Sequence, residues 1–299
     1  VSNLGRFAER KSWQSGHVST GITRRKCLSL TTSNVTINEL LQTTSRTFAL
    51  SIPLLPRPLD WKVTLAYLVF RISDTLEDAE RLNRTERQAG LDTFCELLNS
   101  PSEKSVDAWT NTWASKSISD NDDYNRLLHE TPQVLAAVRD LDDANRNSIV
   151  RHAQRSAQGM SDFLDRADEQ ANLSLLSIQD LREYCYYVAG IVGELITELF
   201  VLEHQELADT SLAQNAAAFG EGLQLVNILK DSSDDAVCGR AYLPAGIPLD
   251  AIYELAFDDL EKAETYVETL RHADAPGGYI AFCDTPIQLA KATLTAVRR

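Results

Sequence analysis

Two acidic segments carry the side chains best suited to chemistry in this sequence. Asp74, Glu77 and Asp78 form the first segment, and Asp231 and Asp235 belong to the second. Carboxylates four residues apart are neighbours on one helix face, roughly 5–6 Å apart, where they repel each other. One such pair is common on ordinary surface helices, but here two occur, each after an apolar stretch. Because Mg²⁺ prefers carboxylate, water and phosphate oxygens, the pattern predicts two facing metal sites that hold a diphosphate between them.

Four cationic side chains could neutralise the phosphate oxygens of such a ligand. Arg71 lies just before the first acidic segment, and Lys230 lies just before the second. Arg240 follows the second segment, in a stretch where a flap could bring it to phosphate. Arg46 lies among apolar residues early in the chain and is a further candidate for a diphosphate clamp. Since isolated arginines are usually surface residues, each assignment depends on the acidic segments meeting in space.

A tyrosine-rich segment and two amides complete the set of candidates. Tyr184 and Tyr187 are three residues apart, so we expect one helix face to carry both phenols. An aromatic face stabilises passing positive charge, and a phenol can move a proton near a carbocation. Gln224 and Asn227 precede the second acidic segment on an apolar helix and would be polar contacts inside a cavity. The alternative interpretation is a set of core tyrosines with hydrogen-bonded hydroxyls and amides on the surface.

The composition favours a helical domain and excludes one class of partner. Apolar residues are 43% of the 299 positions, glycine and proline are few (13 and 9), and strand-like alternation is hard to find. We therefore predict one all-α domain of roughly nine or ten helices, a single bundle around a central cavity that the acidic segments border. The net charge of −14 argues against nucleic acid as a partner, because phosphate backbones require clustered Lys and Arg.

The first 35 residues differ in composition from the rest. Residues 1–30 contain six Lys or Arg against one Glu, and they have no apolar run. We interpret residues 1–35 as a disordered extension or a transit-peptide-like leader, and we assign the domain to residues 36–299. Five cysteines without CxxC spacing suit a reducing cytosol. Because we find no run of 18 apolar residues, we expect a cytoplasmic protein, with peripheral membrane contact for product release as an open alternative.

Capping and breaking signals place the helices. Thr36 and Glu39 form a capping box for a helix to about Leu50. A polar stretch, residues 100–125, is interpreted as a loop or short irregular helices. Thr131-Pro132 is typical of a further helix start. The remaining predicted segments are helices at 58–80, 83–99, 143–168 and 177–203, a helix from 211 to the second acidic segment, a loop at 232–247, and helices at 249–272 and 279–297.

Four segments, in this order, resemble the squalene and phytoene synthase family of head-to-head prenyltransferases. They are SRTFALSI (45–52), YLVFRISDTLEDAE (67–80), YCYYVAGIVGELITELF (184–200) and LQLVNILKDSSDDAVCGRAYLP (223–244). The resemblance extends over roughly residues 37–297, and it implies the all-α isoprenoid synthase fold. One position departs from the family: Lys230 stands where arginine is usual, which keeps the charge but loses bidentate geometry.

The resemblance also implies a role for each candidate residue. Tyr184 matches the tyrosine of the cyclopropyl-forming step, and Gln224 and Asn227 match polar residues on the helix of the second acidic segment. Arg46 and Arg71 match positions that contact diphosphate or, in reductive members, the nicotinamide cofactor. The implied ligands of Mg²⁺ are Asp74, Glu77, Asp78, Asp231 and Asp235. The implied diphosphate-binding cations are Arg46, Arg71, Lys230 and Arg240.

The implied reaction joins two farnesyl diphosphates through a cyclopropylcarbinyl diphosphate to a C30 hydrocarbon, with Mg²⁺ and, for a reductive product, NADPH. Phytoene or dehydrosqualene synthesis without reduction stays open, and phytoene would require geranylgeranyl diphosphate as the substrate. A non-catalytic assembly factor is the alternative from another functional class. Such a scaffold need not keep metal-binding aspartates, and both acidic segments are intact here. Nothing in the sequence indicates an oligomeric state.

Overall fold

The computed structural model describes residues 36–45, 47–237 and 239–298, with only the backbone of 233–235 and 237. The predictions for residues 1–35, for Arg46 and for the Asp235 side chain lie outside the described part. Within it the chain is all-α, as predicted, with no β-strand and one isolated bridge between Ser174 and Ala241. The division of the chain at residue 36 stays a prediction.

We number the α-helices in chain order and name shorter turns by their residues. The helices are α1 (36–44), α2 (Phe48–Ser51), α3 (Leu59–Glu77), α4 (Arg84–Asn99), α5 (Glu103–Trp113), α6 (Asp122–His129), α7 (Thr131–Arg139), α8 (Asp143–Leu164), α9 (Ile178–Cys185), α10 (Ile191–Glu203), α11 (Ala216–Val237), α12 (Leu249–His272) and α13 (Gly277–Val297). A π-helical segment, Tyr186–Gly190, joins α9 to α10.

Of the two interpretations of residues 100–125, a loop or short irregular helices, the structure favours helices, because α5 and α6 occupy much of the stretch. They are regular α-helices. A capping box between Ser102 and Ser105 starts α5. Val106, Trp109 and Trp113, at i, i+3 and i+7, are all buried. Three apolar residues at this spacing are enough to dock a helix whose other faces are polar. Because most residues of this stretch are polar, the narrow apolar stripe of α5 was not recognised in the sequence.

The first predicted helix ends earlier than expected, at residue 44 instead of Leu50. The amide of Phe48, which would continue the helix by bonding to Thr44, instead donates to Ser45 Oγ at 3.0 Å. The Thr44 carbonyl accepts a hydrogen bond from the Tyr67 hydroxyl of α3 at 2.6 Å. A tertiary contact therefore interrupts the helix beside the position of Arg46.

The helix of the second acidic segment runs further than predicted. The expected loop at 232–247 begins only after Val237, so the whole acidic segment lies on α11. Gly239 follows with a φ of +78°, a left-handed conformation that favours glycine just after a helix end. Gly239 therefore marks the end of the helix, whereas the sequence interpretation placed the start of the loop inside the acidic segment.

The helix predicted at 177–203 is continuous, but a π turn interrupts its α-helical hydrogen-bonding pattern. Ser177 caps its start by accepting a hydrogen bond from the Asp180 amide. In the middle, the Ile191 amide donates to the Tyr186 carbonyl, an i→i−5 bond that defines a π turn. Residues 178–203 are long and apolar enough to span a membrane, contrary to our expectation from the sequence. Half of that apolar window is buried against other helices.

Glycines let the π segment and α10 approach α11 closely. A Cβ on Gly193 would lie 1.9 Å from the Ala216 carbonyl oxygen, and one on Gly220 would lie 1.9 Å from the Ala189 carbonyl oxygen. The backbones are therefore in direct contact on both sides of this crossing. A side chain larger than hydrogen at either glycine would force these helices apart.

We expect Gly193→Ala to destabilise the protein by about 1–3 kcal/mol, because the added methyl group must push two backbones apart. Thermal unfolding followed by circular dichroism measures the effect. The matched control is Gly277→Ala, since a Cβ at that helical position meets no atom within 4 Å. Equal melting temperatures for the two variants would contradict the close packing.

Candidate active site

The acidic ends of α3 and α11 line one polar cleft with a volume of about 470 Å³. Of the residues singled out from the sequence, ten line this cleft: Arg71, Asp74, Glu77, Asp78, Tyr184, Gln224, Asn227, Lys230, Asp231 and Arg240. The two segments thus face a common space although more than 150 residues separate them in the chain. Thr44, Ser45 and Thr47, the described neighbours of Arg46, line the same cleft.

Burial and mutual repulsion raise the pKa values of two carboxyl groups in the first acidic segment, those of Asp74 and Glu77. Burial raises the pKa of Asp74 to about 6, the Arg71 guanidinium opposes this shift, and the Asp78 carboxylate adds to it. Burial, with the neighbouring Asp78, also raises the pKa of Glu77 well above its ordinary value. A cation bound at these oxygens would offset both effects, which is the behaviour expected of ligands for a hard divalent ion.

Each cation of the cleft pairs with one carboxylate of an acidic segment. Arg71 Nη1 lies 3.3 Å from Asp74 Oδ2, and Lys230 Nζ lies 3.0 Å from Asp231 Oδ2. Arg240 makes the third pair, with Nη1 2.8 Å from Asp78 Oδ1. Among the described residues, no three acidic, histidine or cysteine side chains converge on a common metal position. Instead of surrounding one metal position, Asp74, Asp78 and Asp231 each contact a cationic side chain.

Arg71 is held by two tyrosines that the sequence analysis did not select. Its Nε donates to the Tyr67 hydroxyl at 3.2 Å, and its guanidinium lies over the rings of Tyr67 and Tyr124 at 5.5 and 5.6 Å. Burial alone would lower the pKa of Arg71, but Asp74 and the two phenols raise it above its ordinary value. The i, i+4 spacing of Tyr67 and Arg71 could have indicated the first contact. No local signal indicates Tyr124, which arrives on α6.

The short segment at 239–243, here called the strap, brings Arg240 to the end of α3. The Ala241 amide donates to the Leu173 carbonyl at 2.8 Å, and the Leu175 amide donates to the Ala241 carbonyl at 3.0 Å. These two bonds fix the backbone just after Arg240. Its side chain, only 16% exposed, also donates to the Asp78 carbonyl at 3.1 Å. The segment predicted as a flap therefore places its cation on the first acidic segment.

Tyr184 is buried at the wall of the cleft and pairs with a second phenol. Its hydroxyl donates to the Tyr242 hydroxyl at 3.1 Å, and the two rings stack with centroids 4.8 Å apart. Phe163 packs edge-on against the Tyr184 ring at 5.4 Å. Burial raises the pKa of Tyr184 well above its usual range, so the phenol stays protonated. Tyr242 was not selected from the sequence, although it follows Arg240 by two positions.

Tyr187 lies near Tyr184 but does not line the cleft. Both rings pack edge-on against Phe163, with ring centroids 5.4 and 6.3 Å away, as expected for positions three apart on a helix. Tyr184 and Val188 line the cleft, whereas the Tyr187 ring lies against Gly159 of α8 and borders a separate surface hollow. The predicted aromatic face of the site therefore includes Tyr184 without Tyr187.

An apolar pocket of about 190 Å³ continues from the polar cleft. Its walls are mostly aliphatic and aromatic, including Phe70, Leu195 and Phe219. Gln224 and Asn227 border both spaces and are the amides nearest the junction. The arrangement suits a ligand with a charged head and an apolar tail, because each part meets surroundings of its own kind.

A profile of the family described as Squalene/phytoene synthase matches residues 41–247 of this chain. The chain belongs to the squalene/phytoene synthase family. The family assignment covers the strap, the cleft and every described candidate residue. It confirms the resemblance inferred from the four sequence segments.

Individual relatives within this family agree with the assignment. The squalene synthase of Schizosaccharomyces pombe is 31% identical over 87% of this chain, and that of Cyberlindnera jadinii is 32% identical over 70%. The chain spans 59% and 45% of the lengths of these two relatives. The solved complex of TcSQS with ligand BPH1237 has a TM-score of 0.74 and 27% identity, covering 89% of this chain and 79% of that one. The squalene synthase HpnC from Alicyclobacillus acidocaldarius, at 21% identity and a TM-score of 0.57, supports the fold alone.

The raised pKa of Asp74 predicts a dependence of stability on pH. Between the ordinary value of 3.8 and about 6, the folded state binds more protons at this group than the unfolded state does. Raising the pH through this window therefore lowers the free energy of unfolding. Asp74→Asn removes that loss, so we expect the variant to gain stability relative to the unmodified chain as the pH rises from about 4 to 7.

Denaturant unfolding at both ends of this pH window, in a chelator, tests the expectation for Asp74. The control is Asp107→Asn, at an exposed position of α5. An Asp74→Asn variant whose stability relative to the unmodified chain falls with rising pH would refute the assigned direction.

Proposed function

We propose that this chain catalyses the Mg²⁺-dependent head-to-head condensation of two farnesyl diphosphates to a C30 hydrocarbon, through a cyclopropylcarbinyl diphosphate. The single observation that carries the proposal is the junction of the two cavities. A polar cleft with carboxylates from two helices and three cations opens into an apolar pocket. Membership of the squalene/phytoene synthase family and the squalene synthases among its relatives support the same reaction.

Diphosphate binding exchanges the internal ion pairs of the cleft for pairs with the ligand. Arg71, Lys230 and Arg240 each contact a carboxylate, and each could turn to phosphate oxygens instead. Arg71 and Arg240 are the stronger candidates, since both are largely buried and present planar donors that suit phosphate. Lys230 is 45% exposed, so its pair with Asp231 contributes little and opens readily. Arg46 stays a proposed diphosphate contact.

The proposed ligands of Mg²⁺ include the carboxylates that this exchange releases, Asp74, Asp78 and Asp231. Glu77 and Asp235, from the same two acidic segments, complete the proposed set. All-oxygen donors that leave the coordination sphere open suit Mg²⁺, because it keeps waters and takes substrate phosphate oxygens. When bound, Mg²⁺ supplies Lewis-acid stabilisation of the departing diphosphate. The raised pKa of Asp74 supports this assignment, since a cation there would favour the ionised carboxyl.

The apolar pocket protects the allylic cation left by the departing diphosphate. Attack by the double bond of the second substrate requires that water be excluded, and the pocket walls are apolar. Tyr184 lines the polar cleft beside the junction residue Val188, with a neutral hydroxyl that donates to Tyr242. We assign to Tyr184 the movement of a proton during cyclopropane formation. Gln224 and Asn227 are proposed to orient the second diphosphate at the junction.

The second ionisation rearranges the cyclopropyl intermediate, and its product decides between squalene and the unreduced alternatives. The squalene synthases among the relatives favour a reductive end, in which NADPH is the second substrate and delivers a hydride. Phytoene or dehydrosqualene formation by proton loss has less support. A non-catalytic scaffold has less support still, because Asp74, Asp78 and Asp231 face one cleft with its cations. We also propose a cytoplasmic location, with peripheral membrane contact when the apolar product leaves.

Product analysis tests the proposed function. The purified chain is incubated with Mg²⁺ and farnesyl or geranylgeranyl diphosphate, with and without NADPH, and the extracted hydrocarbon is identified. We expect squalene from farnesyl diphosphate with NADPH. Asp74→Asn and Asp231→Asn should each lose ~10²-fold or more of this activity while keeping their helical circular dichroism. Asp107→Asn is the control. Absence of hydrocarbon under all conditions, or near-normal turnover in both site variants, would refute the proposal.

Tyr184→Phe separates proton movement from substrate binding. The variant keeps the ring, its stack on Tyr242 and any cation–π contribution, and it removes only the hydroxyl. We expect normal folding and Mg²⁺-dependent substrate binding, with hydrocarbon formation reduced by ~10²–10⁴-fold. Equilibrium binding and single-turnover product analysis measure the two effects. Normal product formation would show that the proton is taken elsewhere.

A further inference from the structure

A three-residue network spans the π turn on the side of the helix opposite the cleft. The Tyr186 hydroxyl donates to Glu194 Oε1 at 3.1 Å, and Arg155 of α8 donates to the same hydroxyl. Arg155 Nη1 also lies 2.8 Å from Glu194 Oε2, which closes the triangle. None of the three residues lines the polar cleft or the apolar pocket.

The bond between Tyr186 and Glu194 depends on the π turn. In a regular α-helix, residues eight apart differ by about 80° in direction, too far for a short side-chain contact along one face. The π turn takes up one additional residue, so these two positions lie as residues seven apart would, about 20° from alignment. The network therefore fits the π register and would be lost in the α register.

The same register sets the direction of Tyr184 relative to the apolar pocket. Tyr184 precedes the turn, whereas Val192 and Leu195, which line the pocket, follow it. Conversion of the turn to α-helix would rotate one half against the other by about 100°.

We propose that Tyr186 is a positioning residue for the reaction: by bonding Glu194 and Arg155 it holds the π turn and thereby keeps the Tyr184 hydroxyl aimed into the cleft. The inference rests on the proposed function of the cleft and adds a residue outside it. Burial and the Glu194 carboxylate raise the pKa of the Tyr186 phenol, so it remains a donor at neutral pH.

Tyr186→Phe tests the proposal, because it removes both hydrogen bonds and keeps the ring. We expect kcat for hydrocarbon formation to fall about tenfold, with KM changed less than about twofold, because loss of orientation acts on the chemical step. Amide exchange at residues 187–191 should become faster. The matched control is Tyr187→Phe, whose hydroxyl has no hydrogen bond within the described structure and which should behave like the unmodified chain.

A double-mutant cycle with Tyr184→Phe distinguishes positioning from a general structural role. If Tyr186 acts through Tyr184, the double variant should be no slower than Tyr184→Phe alone. Unchanged kcat in Tyr186→Phe, or a loss that adds fully to that of Tyr184→Phe, would overturn the proposal. If Tyr186→Phe does not fold, Glu194→Gln, which keeps an acceptor but removes the charge facing Arg155, enters the same cycle. A folded, unmodified chain that forms no hydrocarbon would instead overturn the proposed function.

Discussion

Repulsion among carboxylates that share one half-buried cleft must be balanced for this structure to be stable. Asp74 and Asp78 lie at the end of α3, Asp231 approaches from α11, and burial keeps water from screening them fully. These three carboxylates each pair with a cation, Arg71, Arg240 and Lys230 respectively. Such internal pairs offset the negative charge of the cleft without filling it. In the proposed function, the same pairs open to exchange partners with the diphosphate and its metal ions.

The apolar pocket beside the polar cleft indicates which kind of ligand the two spaces suit together. A diphosphate head needs charge and open coordination, whereas the chain that follows it, and any cation formed on that chain, needs an environment without water. The two spaces share a border at Arg71, Asp74, Gln224 and Asn227. Breaking a bond between head and chain would separate charge across that border. The described geometry thus supports ionisation chemistry more strongly than simple storage of a lipid diphosphate.

Three irregular parts of the backbone lie next to this site. The α1 helix ends where the Tyr67 hydroxyl donates to the Thr44 carbonyl, and Thr44 lines the cleft. The π turn lies between Tyr184 and the pocket-lining Val192, and the positive φ of Gly239 turns the chain toward Arg240. Such departures from regular structure cost free energy and are expected where they place functional groups.

Features that depend on neighbours along the chain follow from the sequence alone. Paired carboxylates, capping residues such as Asn83, and apolar periodicity are local, so the all-α fold, the acidic helix ends and ten residues of the cleft could be predicted. Which residues meet across helices depends instead on how the helices pack. Tyr124 reaches Arg71 from α6, and Tyr242 stacks on Tyr184 from the strap, through contacts that no local pattern encodes. The π turn at Tyr186–Gly190 could not be predicted either, because such a turn is stabilised by packing and by distant partners rather than by the propensities of its own residues.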